Sequence, residues 1–125
     1  MPRKLVTENH VKALVKDWFD KCGAWSYAPV QSGLGVHGIP DRLGVVPVTV
    51  TPDMVGRKVG VFVGVECKKP GRRGEKDRGM SKHQVMVLTD INEAFGHGVV
   101  CDGYEDLAYL HKALFQQELP LEGGR

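Results

Sequence analysis

The sequence predicts an α/β domain, a mixed central β-sheet flanked by α-helices, and three observations carry that expectation. Near the N-terminus, Val11, Leu14, Val15, Trp18, Phe19 and Cys22 recur every three or four residues, the spacing of one helical face. From Leu43 to Val65 runs an extended, valine-rich stretch broken near its middle by Pro52, Asp53 and Gly56, which reads as two antiparallel strands and a turn. A second helical stripe, Gln84, Leu88, Ile91 and Phe95, is followed by the short apolar run Val99-Val100-Cys101. The order helix, strands, helix, strand, helix defines the α/β class.

In chain order, Thr7 is the N-cap of a first helix that runs to about Cys22 and stops at Gly23. Its apolar stripe is expected to be buried. Glu8 lies three residues before Val11 on that stripe, so its carboxylate points inward at the helix start; an acidic residue there also favours the helix dipole. Trp25 to Val30 is expected as the first strand. Gly33, Gly35 and Gly38 spell GxGxxG, but a dinucleotide fingerprint must open a helix, and this one leads through Pro40 into a strand. It reads as a glycine-rich loop that brings Asp41 into position, with His37 either solvated or touching substrate. Ser81 and Gln84 stand as N-cap and N3 of a capping box. Gly96 or Gly98 is expected to stop that helix. Asp102-Gly103-Tyr104-Glu105 then starts a last helix carrying Leu107, Leu110 and Leu114. Residues 1–119 read as one domain and 120–125 as a polar, disordered tail.

Composition limits the class further. A chain of 125 residues is long enough for a core without disulfide support, and Cys22, Cys67 and Cys101 are odd in number with no CxxC pair. They read as reduced, mostly buried thiols. No apolar run approaches the roughly 20 residues that span a bilayer, and the N-terminus lacks a signal-peptide core. A soluble, intracellular, cytoplasmic protein is expected, with no membrane partner. The net charge of +2 is unevenly placed: from Glu66 to Lys82, Lys68, Lys69, Arg72, Arg73, Lys76, Arg78 and Lys82 face only three acids, Glu66, Glu75 and Asp77. A basic loop whose Gly and Pro residues exclude regular structure suits either plain solvation or a polyanion such as DNA.

The midpoint between Asp41 and Glu66 falls inside the turn near Pro52, so a hairpin folded there sets the two carboxylates side by side across the ladder. Strand alternation puts Glu66 and Lys68 on one face and Cys67 on the other. Two close carboxylates repel until one takes a proton, and a hard divalent cation removes the conflict. The bland alternative is a solvated strand end with a surface ion pair, worth little.

Gly38-Ile39-Pro40-Asp41, then Glu66-Cys67-Lys68, then Ser81-Lys82-His83-Gln84 resembles the PD-(D/E)XK nuclease superfamily, and most closely its VRR-NUC branch, the virus-type replication-repair nucleases. The likeness spans roughly residues 5 to 102. It implies a restriction-endonuclease-like core and a DNA endonuclease dependent on Mg²⁺ or Mn²⁺. Asp41, Glu66 and the Cys67 carbonyl would be metal ligands, joined by Glu8. Lys68 would orient the attacking water and stabilise the transition state, and Gln84 would lie beside it to position substrate or water, unless it only caps the helix. Lys69, Arg72, Arg73, Lys76, Arg78 and Lys82 would contact DNA. A lone core of this size implies a homodimer, suited to a four-way (Holliday) junction or other branched DNA in repair, and the branch hints at a phage source. The alternative is a catalytically silent nucleic-acid-binding module of the same fold.

Overall fold

The structure, a computed structural model, describes residues 4–30, 38 and 40–119. His37, Gly33, Gly35 and the tail from Pro120 lie outside the described residues. The protein is of mixed α/β class, with helices α1 (Glu8–Lys21), α2 (Lys82–Glu93) and α3 (Tyr104–Phe115) and strands β1 (Trp25–Tyr27), β2 (Leu43–Val45), β3 (Val63–Cys67) and β4 (His97–Cys101). It divides into two compact units, Met1–Gly60 with Glu93–Gly96, and Val61–Asn92 with His97–Arg125. Among the described residues, no helix is long and apolar enough to cross a membrane.

In the first unit, Thr7 caps α1 as its sequence position implies. The Thr7 hydroxyl accepts from the His10 amide at 3.1 Å, and His10 Nδ1 accepts from the Thr7 amide at 3.3 Å, closing a capping box with histidine in the place usually held by Glu or Gln. The helix ends at Cys22, and Gly23 follows with φ +71°, a left-handed conformation that costs glycine little. β1 and β2 pair antiparallel, Trp25 opposite Val45 and Tyr27 opposite Leu43. Gly44 is the point of closest approach: a Cβ there would meet Phe19 Cε1, Ser26 Cβ and the Trp25 carbonyl oxygen, each at 2.8 Å.

Three expectations that begin in this unit fail. The α1 stripe is not buried. Val11, Leu14, Val15 and Trp18 are exposed and Phe19 is half-buried, because two three-residue strands offer too little surface to cover four helical turns. The 43–65 hairpin also does not form: β2 takes β1 as its ladder partner and β3 takes β4. Regular structure is lost after Val45, where Pro47 and Pro52 each remove a ladder donor, and a single 3₁₀ turn, Pro52–Met54, stands where the hairpin turn was expected. Asp41 and Glu66 are therefore not ladder neighbours. The first strand is also shorter than expected, ending at Tyr27.

In the second unit β3 and β4 run parallel, in register from Val63 opposite His97 to Cys67 opposite Cys101. Helix α2 covers one face of this pair. Cβ atoms added at Gly64 or Gly98 would meet Ile91 Cδ1 at 3.2 Å and the Leu88 carbonyl oxygen at 2.7 Å, so both glycines permit close helix–strand packing. Among the described residues of this unit, Ile91 and Leu110 are the buried apolar ones. Gly64 and Glu66 are half-buried on the face toward α2, whereas Val63, Val65 and Cys67 are exposed on the other. Cys67 is thus a surface thiol, not the core residue expected, and Cys22 and Cys101 are only half-buried. Helix α2 stops before either candidate glycine, and Phe95 takes the left-handed conformation at φ +70°. The Asn92 side-chain amide then binds both backbone groups of Gly98, accepting from its N–H at 2.9 Å and donating to its carbonyl at 3.0 Å.

Candidate functional site

The end of β3 and the start of α2 form one hydrogen-bonded cluster. Ser81 and Gln84 make the capping box in both directions: the Ser81 hydroxyl accepts from the Gln84 amide at 3.1 Å, and Gln84 Oε1 accepts from the Ser81 amide at 2.9 Å. The same Oε1 accepts from Lys68 Nζ at 3.0 Å, while Gln84 Nε2 donates to Glu66 Oε1 at 2.8 Å. Lys68 Nζ lies 3.6 Å from that Glu66 oxygen and closes the triangle. The two roles that the sequence offers for Gln84 coexist, because one amide oxygen serves both the helix cap and the lysine.

Strand geometry supplies the rest of the cluster. The spacing that sets Glu66 and Lys68 two residues apart puts both on the face toward α2. The Lys68 side chain is only 17 % exposed and that of Glu66 32 %, so their attraction is less screened than in a surface pair. Phe62 accepts from the His97 amide and Lys68 donates to the Cys101 carbonyl, which turns the backbone groups of residues 62, 64, 66 and 68 toward β4. By alternation the Cys67 carbonyl points to the opposite edge of β3. Glu66 and Gln84 also line a cavity of about 280 Å³ with His83, Val87 and Leu88. Sequence reasoning assigned His83 no role; its position one residue before Gln84 was the available signal.

Glu8 and Asp41 line one cavity of about 350 Å³ in the first unit, with Val11, Lys12, Val15, Ala28 and Arg42. Arg42 Nε donates to the Ser26 hydroxyl at 2.9 Å. Two acids and two bases thus share the lining of this cavity. Among the described residues, no three His, Cys, Asp or Glu side chains cluster as a cage for a metal. A hard cation that keeps most of its waters binds through one or two carboxylates and needs no such cage. The Glu66 carboxylate and the Cys67 carbonyl are oxygen donors of that kind.

The basic segment is more ordered than its composition implies. A 3₁₀ turn, Arg72–Gly74, and a tight kinked turn over Lys76–Gly79 replace the irregular loop; inside the second, Asp77 and Arg78 hold left-handed backbone conformations at φ +51° and +54°. Such a conformation is costly for arginine, and its side chain shows what holds it there. Arg78 Nη2 donates to Asp102 Oδ1 at 3.0 Å and to Asp106 Oδ2 at 2.9 Å. Arg73 joins both acids at 3.4 and 3.1 Å, and Arg72 pairs with Glu75. Asp106 also accepts from the Asp102 amide at 3.0 Å, in the first turn of α3. The Arg78 hydrogen bond holds the Asp106 carboxyl well below the usual carboxylate range against the opposing effect of burial, and the same bond raises the Arg78 guanidinium. Arg72, Arg73 and Arg78 are thus engaged with acids of the protein itself. Among the described residues, no ion pair involves Lys69, Lys76 or Lys82. Sequence reasoning gives Asp102 only the start of the last helix and misses its pairing with Asp106 around Arg78; the i,i+4 spacing of the two acids at a helix start was the one local sign of a paired acidic site.

Comparison with protein-family models, with curated proteins and with solved structures returns no significant match.

Proposed function

We propose that the protein is a Mg²⁺- or Mn²⁺-dependent DNA endonuclease that hydrolyses phosphodiester bonds, with a restriction-endonuclease-like core of the VRR-NUC kind. The observation that carries this reading is the closed hydrogen-bonded set of Glu66, Lys68 and Gln84 at a strand end. An ammonium group held beside a carboxylate, with the amide of a third residue fixing both, is organised for charge that develops on a phosphate.

In this reading Glu66 presents the carboxylate oxygen that Gln84 leaves free, and the Cys67 carbonyl presents a second oxygen from the edge of β3 away from β4. A divalent cation held there would lower the pKa of a bound water and offset charge on the phosphate oxygens. Lys68 has three ammonium protons and uses one on Gln84, so it retains donors for a phosphate oxygen and for orienting water. Gln84 keeps Lys68 from closing fully on Glu66. Lys69, next to the cluster, and Lys76 and Lys82 supply positive charge for the backbone of the nucleic acid. Selectivity for four-way junctions or other branched DNA, and action as a homodimer, extend the same proposal.

Cleavage of a labelled panel of four-way junction, flap, single strand and linear duplex, with Mg²⁺ or Mn²⁺, tests it. Wild-type cutting that falls by about 10²–10³ in Lys68→Ala is the expected result. Metal-dependent cutting unchanged by Lys68→Ala removes the proposed site. Binding with no cutting of any substrate leaves a silent nucleic-acid-binding module.

A further inference from the structure

We propose that Cys67 and Cys101 form a reversible disulfide, an oxidative modification site at the C-terminal end of the β3–β4 pair. The two residues are direct partners in a parallel ladder. Directly paired residues on parallel strands project their side chains from the same face, and strands stand about 4.8 Å apart. That spacing lies inside the roughly 4.4–6.8 Å between Cα atoms that a disulfide spans, and the Cβ atoms, about as far apart as the strands, close to its roughly 3.5–4.5 Å with a small shift of the strand ends. Both cysteines are the last residues of their strands, where the backbone adjusts more easily than within a sheet. The register is clamped next to them by the bond from the Lys68 amide to the Cys101 carbonyl at 2.8 Å.

Accessibility points the same way. Both thiols are free, Cys67 exposed and Cys101 half-buried, on the face of the strand pair opposite α2. Cys22 belongs to the other unit and has no place in the ladder. The Cys101 thiol donates to the Gly103 carbonyl at 3.3 Å, a weak bond that oxidation gives up.

The co-reactant is a small disulfide such as oxidised glutathione. The Cys67 sulfur attacks one sulfur of it; the S–S bond breaks, the first glutathione leaves and carries away the Cys67 proton. The Cys101 sulfur then attacks the Cys67 sulfur of the mixed disulfide, and the second glutathione leaves with the Cys101 proton. Two protein thiols are oxidised and one glutathione disulfide is reduced to two thiols. The new bond lies between Glu66 and Lys68, so it would constrain the backbone that presents both; that consequence rests on the nuclease reading, whereas formation of the bond does not.

Incubation of the full chain with excess oxidised glutathione, acid quenching, alkylation of remaining thiols and mass analysis of intact protein and peptides tests the proposal. The expected product is a monomer lighter by two hydrogens, with a peptide joining Cys67 to Cys101 and with Cys22 alkylated. Cys22→Ser should give the same link, and Cys101→Ser should instead stop at a glutathione adduct on Cys67. A glutathione adduct that persists on Cys67 in the wild type, a link to Cys22, a link between chains, or an unreacted Cys67 would each overturn it. Because the readout is mass alone, the outcome is independent of whether DNA is cut.

Discussion

Gln84 Nε2 donates to Glu66 Oε1 at 2.8 Å, and that single contact fixes which way the Gln84 amide faces. With the nitrogen toward the carboxylate, the oxygen is left for Lys68 and for the Ser81 amide. The flipped amide would set an NH₂ group against an ammonium and an oxygen against a carboxylate. The helix cap is thus coupled to the charged pair, and the two are separable by substitution.

Ser81→Ala removes the acceptor of the Gln84 amide and should lower stability by about 0.5–2 kcal/mol. Gln84→Glu keeps an acceptor for Ser81 and Lys68 but sets a second carboxylate against Glu66, with one lysine between two acids. One carboxyl of that pair should hold its proton above the ordinary range. A carboxyl with a raised folded pKa stabilises fully at low pH and loses that contribution as pH rises. Urea midpoints of Gln84→Glu should therefore fall relative to wild type between about pH 4 and pH 7. An unchanged difference across that interval would show that the two side chains do not meet.

Asp106 makes the opposite pH prediction. Its folded carboxyl is lowered chiefly by Arg78, so its contribution is complete above the usual carboxylate range and is lost as pH falls toward the lowered value. Wild-type stability should drop steeply below about pH 4. Asp106→Asn should lower the Tm at pH 7 by about 5 °C and flatten the acid side of the profile. Thermal melts at pH 7, 4 and 3 read both effects.

The basic residues divide into two groups under the nuclease reading. Single Lys→Gln changes at Lys69, Lys76 or Lys82 should weaken DNA binding and reduce the slope of log affinity against log salt by about 1 each. Arg78→Gln should mainly lower the Tm, since its partners are Asp102 and Asp106. A salt titration beside a thermal melt for each variant separates the groups; equal behaviour of Lys76 and Arg78 would refute the division.

Gly98→Ala tests the packing of α2 on β4. The added Cβ would meet the Leu88 carbonyl oxygen at 2.7 Å, a backbone atom that moves only with its helix. A loss of about 1–3 kcal/mol in denaturant unfolding is expected. Gly74→Ala, where a Cβ meets nothing within 4 Å, is the matched control and should be nearly neutral.

The helix starts were legible because their causes are local. Thr7 and Ser81 cap with partners three residues away, well within reach of a short motif. Glu66 and Lys68 could be placed on one face by alternation alone. The strand partners were not legible, since valine-rich segments pair with any similar segment and nothing local distinguished β4 from β2 as the neighbour of β3. The misplaced hairpin follows from pairing the two halves of 43–65 with each other across the turn at Pro52, Asp53 and Gly56, and it carries Asp41 beside Glu66. The Arg78 contacts to Asp102 and Asp106 span 24 and 28 residues, so a loop that read as free positive charge is held by acids no window around it contains. Cys67 was expected in the core because a strand's two faces were assumed to be covered, and only the face toward α2 is.

The amide of Asn92 has one more effect. Gly98 turns its backbone groups to the edge of β4 away from β3, and Asn92 occupies both of them; two steps along the same edge, the Asp102 amide is taken by Asp106. A strand from another molecule needs a run of free donors and acceptors to attach. Side chains have filled the sites at both ends of this edge, so it offers another copy of the protein no long unbroken run of backbone groups on which to extend a shared sheet.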